Sequence, residues 1–144
     1  MSQNKENINK LVVNIFNNIM QEEESALIVG EFKNISVNDM HIIEAIGMDE
    51  PKNMSKIASI LNITVGTLTI AINNLLKKGY VVRRRSEKDR RVVFISLSEL
   101  GERAYEHHKR YHKTIVKRLT EDLDDEEVVV LQKALSHMSE KLEK

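Results

Sequence analysis

The sequence predicts a mainly α-helical fold interrupted by one β-hairpin, and three observations carry that prediction. The 144 residues include one Pro and five Gly, too little punctuation for many short strands and turns. Apolar residues recur at steps of three and four along most of the chain, the stripe of helices seated on a hydrophobic surface. The period changes once, between Val81 and Ile95, where β-branched and basic residues take over.

Taken in chain order, Ile8, Leu11, Val12, Ile15, Phe16, Ile19 and Met20 make the first helical stripe, with Asn4 or Asn7 available as its cap. A mixed run from Ala26 to Phe32 leads to Ser36. Val37 to Ile46 then repeats the helical spacing through Met40, Ile43 and Ile46, and Gly47 is placed to end it. Beyond Pro51, Asn53 to Leu61 supplies a short helix with Ile57, Ile60 and Leu61 inward. Thr64 can cap the next helix, in which Leu68, Ala71, Ile72, Leu75 and Leu76 form the buried stripe and Lys77, Lys78 and Gly79 mark the end.

Only Asn62 and Ile63 join those two helices, and a third precedes them. This is a helix-turn-helix arrangement, whose second helix enters the DNA major groove. Val81-Val82 and Arg91 to Ile95 flank the polar Ser86 to Asp89 and read as a hairpin wing. Ser98 caps a long helix with Ala104, Tyr105, His108, Tyr111, His112, Ile115 and Leu119 along one side. Asp124 to Glu127 is a capping box ahead of Val128, Leu131, Leu135, Met138 and Leu142.

The expected architecture is therefore a mainly α winged helix-turn-helix with long N- and C-terminal dimerisation helices. No repeat, low-complexity tract or linker divides the chain, so residues 1–144 are expected to form a single domain, with 36–97 as its DNA-reading part and 4–30 and 98–144 as the helical dimerisation part. The outer helices hold more apolar stripe than a small winged domain needs. A closed two-fold homodimer is the commonest way to cover it, and it would place two reading helices on half-sites about 34 Å apart.

Composition narrows the function. Without cysteine there is no disulfide, thiolate zinc site or iron-sulfur cluster. The N-terminus mixes Asn, Lys and Glu and has neither a signal-peptide core nor a cleavage site, and no apolar run approaches the roughly 20 residues of a membrane span. Cytoplasmic residence without membrane attachment is the expectation. No phosphate-binding loop, dinucleotide fingerprint, nucleophile elbow or metalloprotease motif is present, so an enzyme is not expected.

Twenty-two Lys plus Arg against 22 Asp plus Glu give zero formal charge, but the charges are segregated. Residues 77–91 hold eight cations against Glu87 and Asp89, an excess of six, whereas 22–50 hold eight acids and one Lys, and 121–127 hold six acids. The basic block covers the end of the reading helix and the wing, so Lys77, Arg83, Arg84, Arg85, Lys88, Arg90 and Arg91 are the candidates for phosphate contact. Arg90 or Arg91 suits the narrow minor groove, and Asp89 can orient one neighbouring Arg. On the helix after Thr64, the face opposite Leu68 and Leu75 presents Thr67, Thr69, Ile70, Asn73 and Asn74. These are hydroxyls, an apolar group suited to a thymine methyl, and amides able to pair with adenine.

Other sites are weaker. Ile15, Phe16, Ile19 and Met40 are candidates to line a ligand crevice between the dimerisation and reading parts. His108 and His112 are four apart on one helix, and with His41 they could supply an imidazole metal site.

The stretch LNITVGTLTIAINNLLKKGYVVRRRSEKDRRVVFISLSELG resembles the MarR family of winged helix-turn-helix repressors. The Thr67 and Thr69 helix, the L-x-K-K-G turn, the D-x-R signature at Asp89 to Arg91 and the S-L-S-x-x-G start of the next helix occur in order. The resemblance implies that Arg91 is the wing-tip contact and that the Thr67 helix is the recognition helix. Many members have Arg where this chain has Ile70. Within the family, NDMHIIEAIG, GTLTIAINNL, RSEKDRRVV and HKRYHK are most similar to the fatty-acid-synthesis repressors of streptococci and their relatives. That likeness implies a dimer on palindromic DNA upstream of fatty-acid-synthesis genes, with long-chain acyl-acyl carrier protein as corepressor, its acyl chain among the first, second and fifth helices. It implies no resident cofactor. A zinc-responsive repressor of the same family is the alternative, with His41, His108 and His112 at ligand positions, although Ala26 falls where its Glu ligand would be.

Overall fold

The computed structural model describes residues 2–28 and 30–143, apart from the side chains of residues 27 and 28. In chain order the elements are α1 (Ser2–Ile28), α2 (Val37–Ile46), β1 (Lys52–Asn53), α3 (Met54–Leu61), α4 (Val65–Lys77), β2 (Val81–Arg85), β3 (Val93–Leu97), α5 (Glu99–Thr120) and α6 (Asp125–Leu142). The chain divides into two compact units, Met1–Glu106 and His107–Lys144.

In the first unit, side-chain oxygens open the three central helices. Ser36 Oγ accepts from the Asp39 amide at 3.0 Å while Asp39 accepts from the Ser36 amide at 3.1 Å, Asn53 Oδ1 accepts from the Lys56 amide at 2.8 Å, and Thr64 Oγ1 accepts from the Thr67 amide at 3.1 Å. Gly47 ends α2, and Lys52 Nζ donates to the carbonyl of Ile46 at 2.7 Å, placing a cation on the negative end of that helix. Between α3 and α4 the chain turns at Asn62, which sits in the left-handed region (φ 56°, ψ 46°) that Asn tolerates better than most residues. The two helices consequently meet at 106°. No single helix among the described residues is long and apolar enough to cross a membrane.

The core of this unit joins Met40, Ile43 and Ile46 of α2, Ile57 of α3, Leu68, Ile72 and Leu75 of α4, and Ile95 of β3, all fully buried. Burial of this kind is the main stabilising term, about 1.5–3 kcal/mol per large apolar side chain. The antiparallel sheet has the order β1-β3-β2, with Lys52 opposite Ile95, Val81 opposite Leu97 and Arg85 opposite Val93. Asn34 ties the loop before α2 to the far end of α4: its backbone carbonyl accepts from Lys78 Nζ, and its Oδ1 accepts from the Tyr80 hydroxyl at 2.7 Å. Burial, assisted by the carboxylates of Glu31 and Asp39, raises the Tyr80 phenol above its ordinary value, so it stays a donor.

Several expectations are corrected. Asn4 and Asn7 cap nothing, because α1 begins at Ser2 and both lie inside it. The mixed run from Ala26 is helical through Ile28, and residue 29 lies outside the described residues. Ile60 faces solvent, since α3 turns only Ile57 and Ala58 fully inward. Arg91 and Val92 belong to the hairpin turn and β3 starts at Val93, because Asp89 bonds Arg91 locally and holds it out of the ladder. β1, two residues long, has no counterpart among the expected elements.

Gly101 is where α5 closes on the sheet. A Cβ there would lie 2.0 Å from the carbonyl oxygen of Tyr80 and 3.2 Å from Leu97 Cβ, and backbone cannot give way as a flexible side chain can. Gly101→Ala should therefore destabilise the chain by about 2 kcal/mol, as overpacking at a rigid contact does. Thermal or urea unfolding checks this; unchanged stability would refute the contact.

In the second unit, α6 starts on a reciprocal box: Asp124 Oδ1 accepts from the Glu127 amide at 2.8 Å, and Glu127 Oε1 accepts from the Asp124 amide at 3.2 Å. None of the residues of α6 is buried within the chain; Val129, Val130, Leu135, Met138 and Leu142 are exposed.

Candidate nucleic-acid interface

The candidate recognition helix is α4. Its capped start and its inward Leu68, Ile72 and Leu75 fix its rotation, which leaves Thr67, Thr69, Ile70, Asn73, Asn74 and Lys77 exposed together. Thr64 Oγ1 donates to Thr67 Oγ1 at 2.9 Å, and Thr69 Oγ1 donates to the Val65 carbonyl at 2.8 Å. Gly66 lies on the same outward face. A Cβ there would meet nothing nearer than Thr64 Oγ1 at 3.9 Å, so no close contact inside the chain demands glycine. Approach of a second molecule's backbone supplies a reason for it. Gly66→Ala should leave the fold intact or stabilise it by up to about 1 kcal/mol while weakening duplex binding severalfold. Calorimetry beside a binding titration tests the pair of effects, and a variant both more stable and equally tight would remove the role.

The wing presents Arg83, Arg84 and Arg85 on β2 and Lys88, Arg90 and Arg91 on its turn, all exposed. Local bonds shape that turn. Ser86 Oγ accepts from the amides of Lys88 and Asp89, at 3.2 and 3.3 Å, and Ser86 and Val92 close it through backbone bonds. Asp89 then selects its arginine: Oδ1 accepts from the Arg91 amide at 3.1 Å and from Nε at 3.2 Å, and Oδ2 accepts from Nη2 at 3.3 Å. These bonds from Arg91, side chain first and backbone second, hold the Asp89 carboxyl below its ordinary value. The brace is thus complete above the usual carboxylate pKa and is lost only as pH falls through the lowered one.

Two contacts had no signal in the sequence. Arg83 Nη1 donates to Asn73 Oδ1 at 3.4 Å, linking wing to recognition helix, and Arg85 Nη1 donates to the Arg90 carbonyl at 3.3 Å. Each joins residues separated by a turn whose course periodicity does not reveal.

The ligand candidates do not share one environment. Met40 is wholly buried in the core, Ile19 is half-buried, and Ile15 and Phe16 are exposed on α1. An open cavity of about 500 Å³ lies elsewhere, along Leu123, Asp124, Glu126, Glu127, Val130, Leu131 and Ala134. Of the metal candidates, His41 belongs to the first unit, with Nε2 3.5 Å from Glu23 Oε1. His108 and His112 belong to the second, their Nε2 atoms 2.8 Å apart and their rings edge to face. At that distance one Nε2 donates to the other.

A capped tri-helical core with an exposed polar face on α4, beside a hairpin wing that is basic on its outer side, defines a winged helix-turn-helix protein. The MarR family model matches residues 35–93. The structure of Streptococcus pneumoniae FabT in complex with DNA shares 38% identity, covers 96% of this chain and 96% of that one, and superposes with a TM-score of 0.91. At that identity and coverage the chain belongs to the MarR family. Among curated proteins, it is 31% identical over 75 residues to YpoP of Bacillus subtilis (strain 168), an uncharacterized HTH-type transcriptional regulator, covering 52% of this chain and 53% of YpoP. It is 45% identical over 60 residues to the HTH-type transcriptional regulator SarZ of Staphylococcus aureus (strain USA300), covering 42% of this chain and 40% of SarZ. The chain thus spans about half the length of these curated relatives.

Proposed function

We propose that the protein is a dimeric, sequence-specific DNA-binding repressor of fatty-acid-biosynthesis genes. The observation that carries this reading is the braced Arg91 on a basic wing beside an exposed recognition helix, in a chain 38% identical to a FabT that was crystallised with DNA. Residues 36–97 read the duplex, and 4–30 with 98–144 join two copies. Support for the dimer comes from the apolar faces of α1 and α6, which a single chain leaves exposed. The palindrome follows from the two-fold axis.

The corepressor is long-chain acyl-acyl carrier protein, supported by the NDMHIIEAIG and HKRYHK likeness. Footprinting on genomic DNA, with and without that acyl carrier protein, tests target and effector together. Palindromic protection upstream of fatty-acid-synthesis genes, stronger with the acyl form, is the expected result; sites elsewhere, or protection indifferent to the acyl form, would overturn it. The adjacent His108 and His112 favour a zinc-responsive repressor of metal-uptake genes as the second reading. Stoichiometric zinc in protein purified without chelator, its removal abolishing DNA binding, would decide for zinc.

A further inference from the structure

The outward face of α4 departs from what charge-based base recognition requires. Lys77, in the last turn, is the only charged residue in the helix. No arginine is there to grip guanine O6 and N7, and no carboxylate to accept from cytosine N4. At the centre of the face stands Ile70, 75% exposed, one turn beyond Gly66 and flanked by exposed Asn73 and Asn74.

Scattered exposed apolar residues are ordinary on a protein surface. Ile70 differs because its neighbours have partly committed their polar atoms. Thr69 gives its hydroxyl proton to the Val65 carbonyl, which leaves a methyl and an acceptor for anything approaching. Asn73 has its amide oxygen engaged by Arg83 of the wing. The face therefore offers apolar groups at its centre, with the Asn74 amide beside them and the Thr67 hydroxyl, the Asn73 NH2 and Lys77 around them. In the major groove, the thymine C5 methyl marks an A·T pair for an apolar side chain, and adenine N6 and N7 match an amide.

We infer that α4 recognises its operator chiefly through thymine methyl groups, with Ile70 as the specificity-determining contact and Asn74 reading adenine. This rests on the DNA-binding reading above. Affinity is then set by the wing and selectivity by methyl packing, so the positions facing α4 should be A·T pairs.

The test takes the tightest duplex selected by the full-length protein from a random library and compares it with the same duplex carrying deoxyuridine for thymine. Removing one contacted methyl should weaken binding about fourfold, and one in each half-site should weaken it at least tenfold. Ile70→Ala should bring the two duplexes within twofold of each other, whereas Ile70→Val should retain most of the preference. Equal binding of thymine and deoxyuridine duplexes by the unaltered protein would overturn the inference, as would a full preference surviving in Ile70→Ala or selection of G·C pairs opposite α4. Those outcomes leave DNA binding standing. Selection of no duplex at all would instead sink the DNA-binding reading.

Discussion

Arg91→Ala is expected to lower operator affinity about tenfold per wing, and so about a hundredfold for a two-fold dimer, with a flatter dependence on salt. Two bonds from the Arg91 guanidinium to Asp89, beside one from its backbone amide, hold this side chain at the tip of the hairpin before any partner arrives. A guanidinium held in place forfeits little conformational freedom on contact, and a narrow minor groove concentrates the negative potential that rewards it. The companion variant, Asp89→Asn, separates charge from placement. It keeps the guanidinium but removes the ionised partner, so specific affinity should fall while non-specific affinity holds or rises, the wing having lost a negative charge. Electrophoretic or fluorescence titrations at several salt concentrations read both effects. Unchanged operator affinity of Arg91→Ala at matched salt would remove the wing from the interface.

The recognition helix was legible because its signals are local. Thr64 caps, Leu68, Ile72 and Leu75 repeat at helical spacing, and the outward residues follow once that rotation is fixed. The wing was legible through charge density more than through strand pattern. What escaped depends on distant partners: β1 is two residues long and exists only because Lys52 and Asn53 find Ile95 and Phe94 across the sheet. Gly101 closes the S-L-S-x-x-G start of α5, but only the Tyr80 carbonyl packed against it explains why that position is glycine. The extent of α1 escaped for the opposite reason. Ser2 to Asn7 have no apolar stripe to announce a helix, so their helicity rests on continuity with the striped residues that follow.

The same exposed stripes carry the largest expected effect. Phe16 on α1 is 62% exposed and Leu135 on α6 is 53% exposed, so neither supports the core of its own chain. An ionised side chain at either position should leave one folded subunit intact yet be costly in an interface that excludes water. Phe16→Glu and Leu135→Glu should each sediment as monomers, whereas Phe16→Leu, which keeps an apolar group, should stay dimeric. Losing the partner turns one bivalent encounter with a palindrome into two independent ones. Since a linked second half-site acts at an effective concentration of about millimolar, operator affinity should fall about 1,000-fold or more, with affinity for a single half-site nearly unchanged. Dimers of Leu135→Glu with full operator affinity would take α6 out of the interface, and the acidic cavity beside its first turn, lined by Asp124, Glu126 and Glu127, would lie open in the assembly.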